Sequence, residues 1–133
     1  MCCVCCVQVD FYWTAHEHDY ERTFPIYRGE WESHPNHTYH NPQSTVHIVS
    51  GSAGCSEGLE YFDEYLFPAW SVVRSPTYGY GHLHVHNDTH LYWEQLLDEG
   101  KGGVDWLWVT RNQSRKGQKT NEILPPVVEV KSS

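Results

Sequence analysis

The chain has 133 residues, with 17 acidic against 9 basic side chains, a formal charge of −8 and a pI of 5.6. That balance excludes the basic face that nucleic acid or an anionic membrane surface requires. No apolar run approaches the roughly 18 residues of a membrane-spanning helix, and the length suits one domain, or part of a larger one, with a real buried core.

Residues 1–8 form an atypical Cys-rich start, Met1-Cys2-Cys3-Val4-Cys5-Cys6-Val7-Gln8. Neighbouring cysteines seldom reach disulfide geometry, and Cys55 is the sole thiol elsewhere, so neither a disulfide framework nor a thiolate metal cluster is expected. The start is also too short, and lacks the preceding basic residues, to serve as a signal peptide.

Val7 to Trp13 is apolar and β-prone, as for a strand buried on both faces. After Thr14-Ala15 comes His16-Glu17-His18-Asp19-Tyr20-Glu21-Arg22. Two histidines one residue apart beyond a strand can turn toward one metal centre, although bare spacing equally fits two surface-loop histidines. Gly29 to Ser44, rich in His, Asn and Pro, reads as an exposed loop. Thr45 to Val49 is a second strand, ending at Ser50-Gly51-Ser52-Ala53-Gly54-Cys55, whose small residues allow close backbone approach. Gly58 to Leu66 reads as a short helix that Pro68 stops.

The C-terminal half has the clearest strand signal. Tyr80 to His86 alternates polar and apolar, Asn87-Asp88 turns, and His90 to Gln95 returns as a hairpin. Val104 to Val109 follows a Gly-rich turn as a further strand. Residues 111–133, polar and containing Pro125-Pro126, read as a disordered tail.

Several side-chain groups leave alternatives open. His82, His84 and His86 share a strand face with His90 across the turn, either a solvated face with Leu83 and Val85 inward or a zinc or copper site. Trp93, Trp106 and Trp108 suit a carbohydrate platform, or sheet core and interdomain packing. The sequons at Asn36, Asn87 and Asn112 lean toward a secretory history.

The stretch Trp13 to Arg22 resembles the last metal-binding motif of the purple acid phosphatases, a family of dinuclear metallophosphoesterases. Three later segments are similar to that family in order: Ser50 to Cys55 to its glycine-rich rim, Trp70-Ser71-Val72-Val73-Arg74 with Tyr78-Gly79-Tyr80-Gly81 to its late Trp-Ser…Arg…Tyr-Gly-Tyr pattern, and Leu83 to His90 to its closing hairpin. One departure is Ala15, where the commonest family form has Gly. Within the family, the animal and fungal long forms are closest.

The resemblance implies that residues 9–110 are the C-terminal portion of a metallophosphoesterase α/β sandwich. The expected class is α+β, with mainly antiparallel strands and one or two short helices. It implies that His16 binds the divalent metal and His18 the ferric ion, with Glu21 and Arg22 buttressing the loop by hydrogen bonds and ion pairs. The cofactors implied are Fe(III) with zinc, Fe(II) or manganese, and the substrate a phosphate monoester cleaved at acidic pH. The family's remaining ligands would lie on an N-terminal half with which this chain packs, so the chain alone is expected to be inactive. Location is implied as secreted or lysosomal. The rival reading is a non-catalytic secreted β-rich glycoprotein or binding module derived from the enzyme; a third is a histidine-rich metal-binding protein.

Overall fold

The computed structural model describes residues 9–63, 65–100 and 102–113, so the Cys-rich start and the tail beyond residue 113 lie outside the described residues. Ten strands occur in it: β1 (Phe11–Thr14), β2 (Tyr20–Thr23), β3 (Ile26–Tyr27), β4 (Glu30–Trp31), β5 (Thr38–His40), β6 (Val46–Ser50), β7 (Ser71–Ser75), β8 (Gly79–Asn87), β9 (His90–Leu97) and β10 (Gly103–Thr110). They form one sheet in the order β1-β6-β2-β7, a second in the order β5-β10-β9-β8, and a small β3-β4 ribbon. Pairing is antiparallel except for β1 with β6 and β5 with β10, so both main sheets are mixed.

The strand period of two explains how one sequence serves two surfaces. On β10, Asp105, Leu107 and Val109 are buried, while Trp106 is exposed and Trp108 half-buried. Tyr20, Val46 and Ile48 from the first sheet meet Tyr39, Trp93, Leu107 and Val109 from the second in a single core. Trp93 is its largest member, with Phe11 and Trp13 tilted against the indole at 5.6 and 5.8 Å between ring centroids.

The strand-dominated class agrees with the sequence reading, with five local corrections. Residues 58–63 carry no helix; the sole helical element among the described residues is a 3-10 turn at Asp98–Gly100. Phe62 and Phe67 instead lie over the Arg74 guanidinium, each 4.8 Å from it, a tertiary contact that outweighs weak local helix preference. The expected loop at 29–44 contains β5, which pairs with β10 from far along the chain, and its Tyr39 is fully buried against Phe24, His34 and Arg22. β1 lies at a sheet edge, leaving Trp13 54% exposed rather than covered on both faces. β8 is likewise an edge strand, so Leu83 and Val85 are exposed instead of inward. The hairpin turn falls on Asp88-Thr89, one residue later than expected, and the Asn87 side chain caps it by accepting from the Thr89 amide at 2.9 Å.

Candidate metal centre

The loop 15–19 leaves the carboxyl end of β1 and enters β2. It is held against the segment after β6 by close backbone approach. A Cβ at Gly51 would sit 1.9 Å from the Glu17 carbonyl oxygen and 2.6 Å from that of Ala15, so glycine is required there. The Gly51 amide donates to the Asp19 carbonyl at 2.9 Å. A second clamp comes from Glu60, whose amide donates to the His18 carbonyl at 3.2 Å and whose carboxylate accepts from the His18 amide at 3.4 Å.

These clamps fix the side chains. His18 is half-buried, with its Nε2 3.4 Å from the Cys55 thiol, and His18, Cys55 and Glu57 bring their donor atoms within 4.8 Å of one another. His16 is exposed and outside that trio. Sequence reasoning missed Cys55 and Glu57 as neighbours of His18; the only signal was the small-residue run leading into them.

The surroundings are acidic. Glu17 and Glu60 share a side-chain hydrogen bond, which raises the Glu17 carboxyl and lowers that of Glu60. Asp19 is buried, and desolvation, reinforced by Glu21, Glu17 and Glu60, pushes its carboxyl up to about 6. A concentration of negative charge around two imidazoles is the field that draws cations to a site.

Glu21 and Arg22 point to opposite sides of β2. Glu21 accepts from Arg74 Nε at 2.8 Å and from the Ser71 hydroxyl at 2.6 Å, both on β7. Arg22 crosses to the second sheet, with Nε 2.5 Å from Asp105 Oδ2 and Nη2 2.9 Å from Oδ1, and also donates to the Tyr39 hydroxyl. The Tyr20 hydroxyl donates to Asp105 at 2.7 Å and accepts from Trp93 Nε1 at 3.1 Å. Burial and then the Asp105 charge raise the Tyr20 phenol, and burial pushes Tyr39 up to about 12. Burial alone lowers the Arg22 guanidinium, but Asp105 and the two tyrosines together raise it above its ordinary value.

Residues 44–105 match the family described as iron/zinc purple acid phosphatase-like protein C. This chain carries the C-terminal domain of the purple acid phosphatases. It is 45% identical over 105 residues to human (Homo sapiens) acid phosphatase type 7, covering 77% of this chain and 24% of that protein. Purple acid phosphatase 18 of Arabidopsis thaliana is 36% identical over 85 residues, covering 64% of this chain and 17% of the relative. Among solved structures, the purple acid phosphatase from yellow lupin (Lupinus luteus) seeds superposes with a TM-score of 0.69 at 30% identity, covering 77% of this chain and 18% of the lupin chain. The chain thus spans about a quarter of the length of the curated animal relative. No helix among the described residues is long and apolar enough to cross a membrane.

The sequons stand in accessible positions: Asn36, Asn87 and Asn112 are all exposed, although Ser114, which completes the third, lies outside the described residues.

Proposed function

We propose that this chain supplies the C-terminal part of a phosphatase that hydrolyses phosphate monoesters at acidic pH, with His16 and His18 as two ligands of a dinuclear centre of Fe(III) and zinc, Fe(II) or manganese. The observation that carries this is the clamped loop 15–19, which presents two imidazoles from the carboxyl end of β1 between Gly51 and Glu60. Two neutral nitrogens fit a share of such a centre, because imidazole suits iron and zinc alike. They do not complete it, so the other donors come from a separate segment of a full-length enzyme. When bound, the metal pair activates water and neutralises phosphate charge.

This chain's own residues have positioning work. Gly51 and Glu60 set the loop against the rim, while Glu21, held by Arg74 and Ser71, fixes β2. Arg22, tied to Asp105, locks β2 and hence the loop's exit to the second sheet. The exposed edge of β1 with Trp13 uncovered suits packing against an N-terminal half. The net charge of −8 leaves nucleic acid out of the proposed partners. By family likeness the location is secreted or lysosomal, with glycans at Asn36, Asn87 and Asn112.

A non-catalytic β-rich glycoprotein or binding module is the second reading. It is favoured by the exposed aromatic face of the second sheet, where Trp106 stacks on His37 at 4.4 Å.

The deciding experiment captures the native protein from its source with an antibody to residues 83–95. Intact mass, iron content and acid phosphatase activity on para-nitrophenyl phosphate are then measured. A species several-fold heavier than 15.5 kDa that carries iron and activity, both lost when the same full-length protein is expressed with His18→Ala, supports the phosphatase reading. A native species of 15.5 kDa without iron or activity overturns it in favour of the binding module.

A further inference from the structure

The outward side of β8 carries Tyr80, His82, His84 and His86 along the edge of the second sheet. In the β8–β9 ladder His82 stands directly opposite Glu94, and His84 opposite Tyr92. Directly opposed side chains, and those two apart on one strand, lie within reach of a common point above the sheet. The side chains use that placement. His82 Nδ1 is 3.1 Å and His84 Nε2 3.8 Å from the same oxygen, Glu94 Oε1, and all three donor atoms lie within 4.8 Å of one another.

Those separations match a metal's demands. Zinc bonds of about 2.0–2.1 Å in a tetrahedron place neighbouring ligand atoms about 3.4 Å apart. The two observed contacts to Glu94 bracket that value, and closing the third edge moves only the His82 and His84 rings, 46% and 52% exposed at their side chains. Glu94 is more confined, at 27%. Its other oxygen, Oε2, accepts from the Tyr92 hydroxyl at 3.3 Å, which leaves Oε1 turned to the histidines. Outer contacts of this kind orient metal-binding carboxylates.

The remaining histidines of the face are otherwise engaged. The His86 ring lies 5.0 Å from Trp108, and His90 Nδ1 is hydrogen-bonded to the Thr89 hydroxyl at 2.8 Å. The four-histidine cluster visible in the sequence therefore resolves into two histidines and a glutamate.

We infer that His82, His84 and Glu94 form a surface site for a borderline divalent transition-metal ion, zinc or copper, with at least one coordination position open to water or an external ligand. Two imidazoles and one carboxylate suit these ions; calcium and magnesium require a shell of oxygens that this face does not offer. The site lies on a different sheet from the loop carrying His16 and His18, shares no residue with it and does not rest on the phosphatase reading.

The test is calorimetric titration of the full chain with Zn(II), its cysteines alkylated so that thiolates do not compete. Electron paramagnetic resonance of the Cu(II) form counts the nitrogens bound. The expected result is one ion per chain with two nitrogen ligands and no heat from Ca(II). Tyr92→Phe weakens binding about 10-fold; His82→Ala and His84→Ala each weaken it further. His16→Ala and His18→Ala leave it unchanged. All five positions lie outside the buried core, so the variants retain the fold, as tryptophan emission checks. Binding that survives both His82→Ala and His84→Ala overturns the inference, as does binding lost on His18→Ala or no heat from the folded chain.

Discussion

Arg22 and Asp105 join the two sheets through a two-pronged ion pair, with Nε–Oδ2 at 2.5 Å and Nη2–Oδ1 at 2.9 Å, almost entirely out of contact with solvent. Desolvating two charges costs several kcal/mol, and here the cost is offset by Tyr20 and Tyr39, which satisfy further donor and acceptor sites of the pair. Removing one partner strands the other as a buried charge. Asp105→Ala and Arg22→Ala should therefore each lose about 3–5 kcal/mol of stability. Arg22→Met with Asp105→Leu should lose clearly less than the two together. Urea denaturation of the four proteins measures this, and additive losses would show that the pair is not coupled.

Gly51 and Gly54 lie three residues apart yet should respond differently. A Cβ at Gly51 collides with backbone carbonyl oxygens of Glu17 and Ala15, which cannot move without shifting the histidine loop. At Gly54 there is open space, and only its φ of +120° disfavours a side chain. Gly54→Ala should cost about 1–2 kcal/mol through backbone strain and leave the loop in place. Gly51→Ala should displace it, moving the His16 and His18 imidazole signals in NMR spectra. Unchanged imidazole signals in Gly51→Ala would show that the close approach does not set the loop.

The same contrast explains what was legible in the sequence. The course of the loop after β1 and the long hairpin were legible because their signals are local: the polar His16 to Arg22 run beyond an apolar strand, and alternation on both sides of a two-residue turn. β5 was hidden, because it forms by parallel pairing with β10, and no residue near 39 announces a partner some 70 positions away. The exposure of β1 and β8 was hidden for a related reason. A continuous apolar run, as at β1, or alternation, as at β8, marks a strand but not whether that strand sits at a sheet edge. Arg22 was legible as part of a motif, whereas its partner Asp105 stands in an ordinary strand with nothing to mark it. Cys55 and Glu57 became neighbours of His18 through tertiary backbone packing, at Gly51 and at Glu60, that no local pattern announces.

Acidification should weaken the fold through His47. Burial holds its imidazole below the ordinary value, and its ring lies 5.5 Å from Tyr12. The unfolded chain takes up a proton near pH 6.5, about the ordinary histidine value, while the folded chain resists it. Stability from this group is thus present above about pH 6.5 and lost as pH falls toward the depressed folded value. His34 is lowered by burial in the same sense. Asp19, raised to about 6, acts oppositely: its contribution is full below the ordinary carboxylate range and lost as pH rises through 6. The difference between wild type and His47→Gln isolates the first effect. The melting temperature of wild type should drop more than that of His47→Gln between neutral pH and about pH 5. Parallel curves would remove His47 from the account.

Gly81 makes room for the core's largest side chain. A Cβ there would lie 2.0 and 2.2 Å from two ring carbons of Trp93, whose indole spreads beneath β8 and donates to the Tyr20 hydroxyl. The ring cannot swing aside freely, since Phe11 and Trp13 lean on it and Tyr20 holds its nitrogen. Gly81→Ala should accordingly overpack the core at a cost of about 1–3 kcal/mol, with further loss as the Tyr20 bond breaks. Displacement carries the indole toward water, so tryptophan emission should shift to the red. In a Trp93→Phe background the smaller ring leaves space, and Gly81→Ala should then produce little shift and a reduced stability penalty. An equal penalty in both backgrounds would mean that strain in β8 itself, not contact with Trp93, demands the glycine.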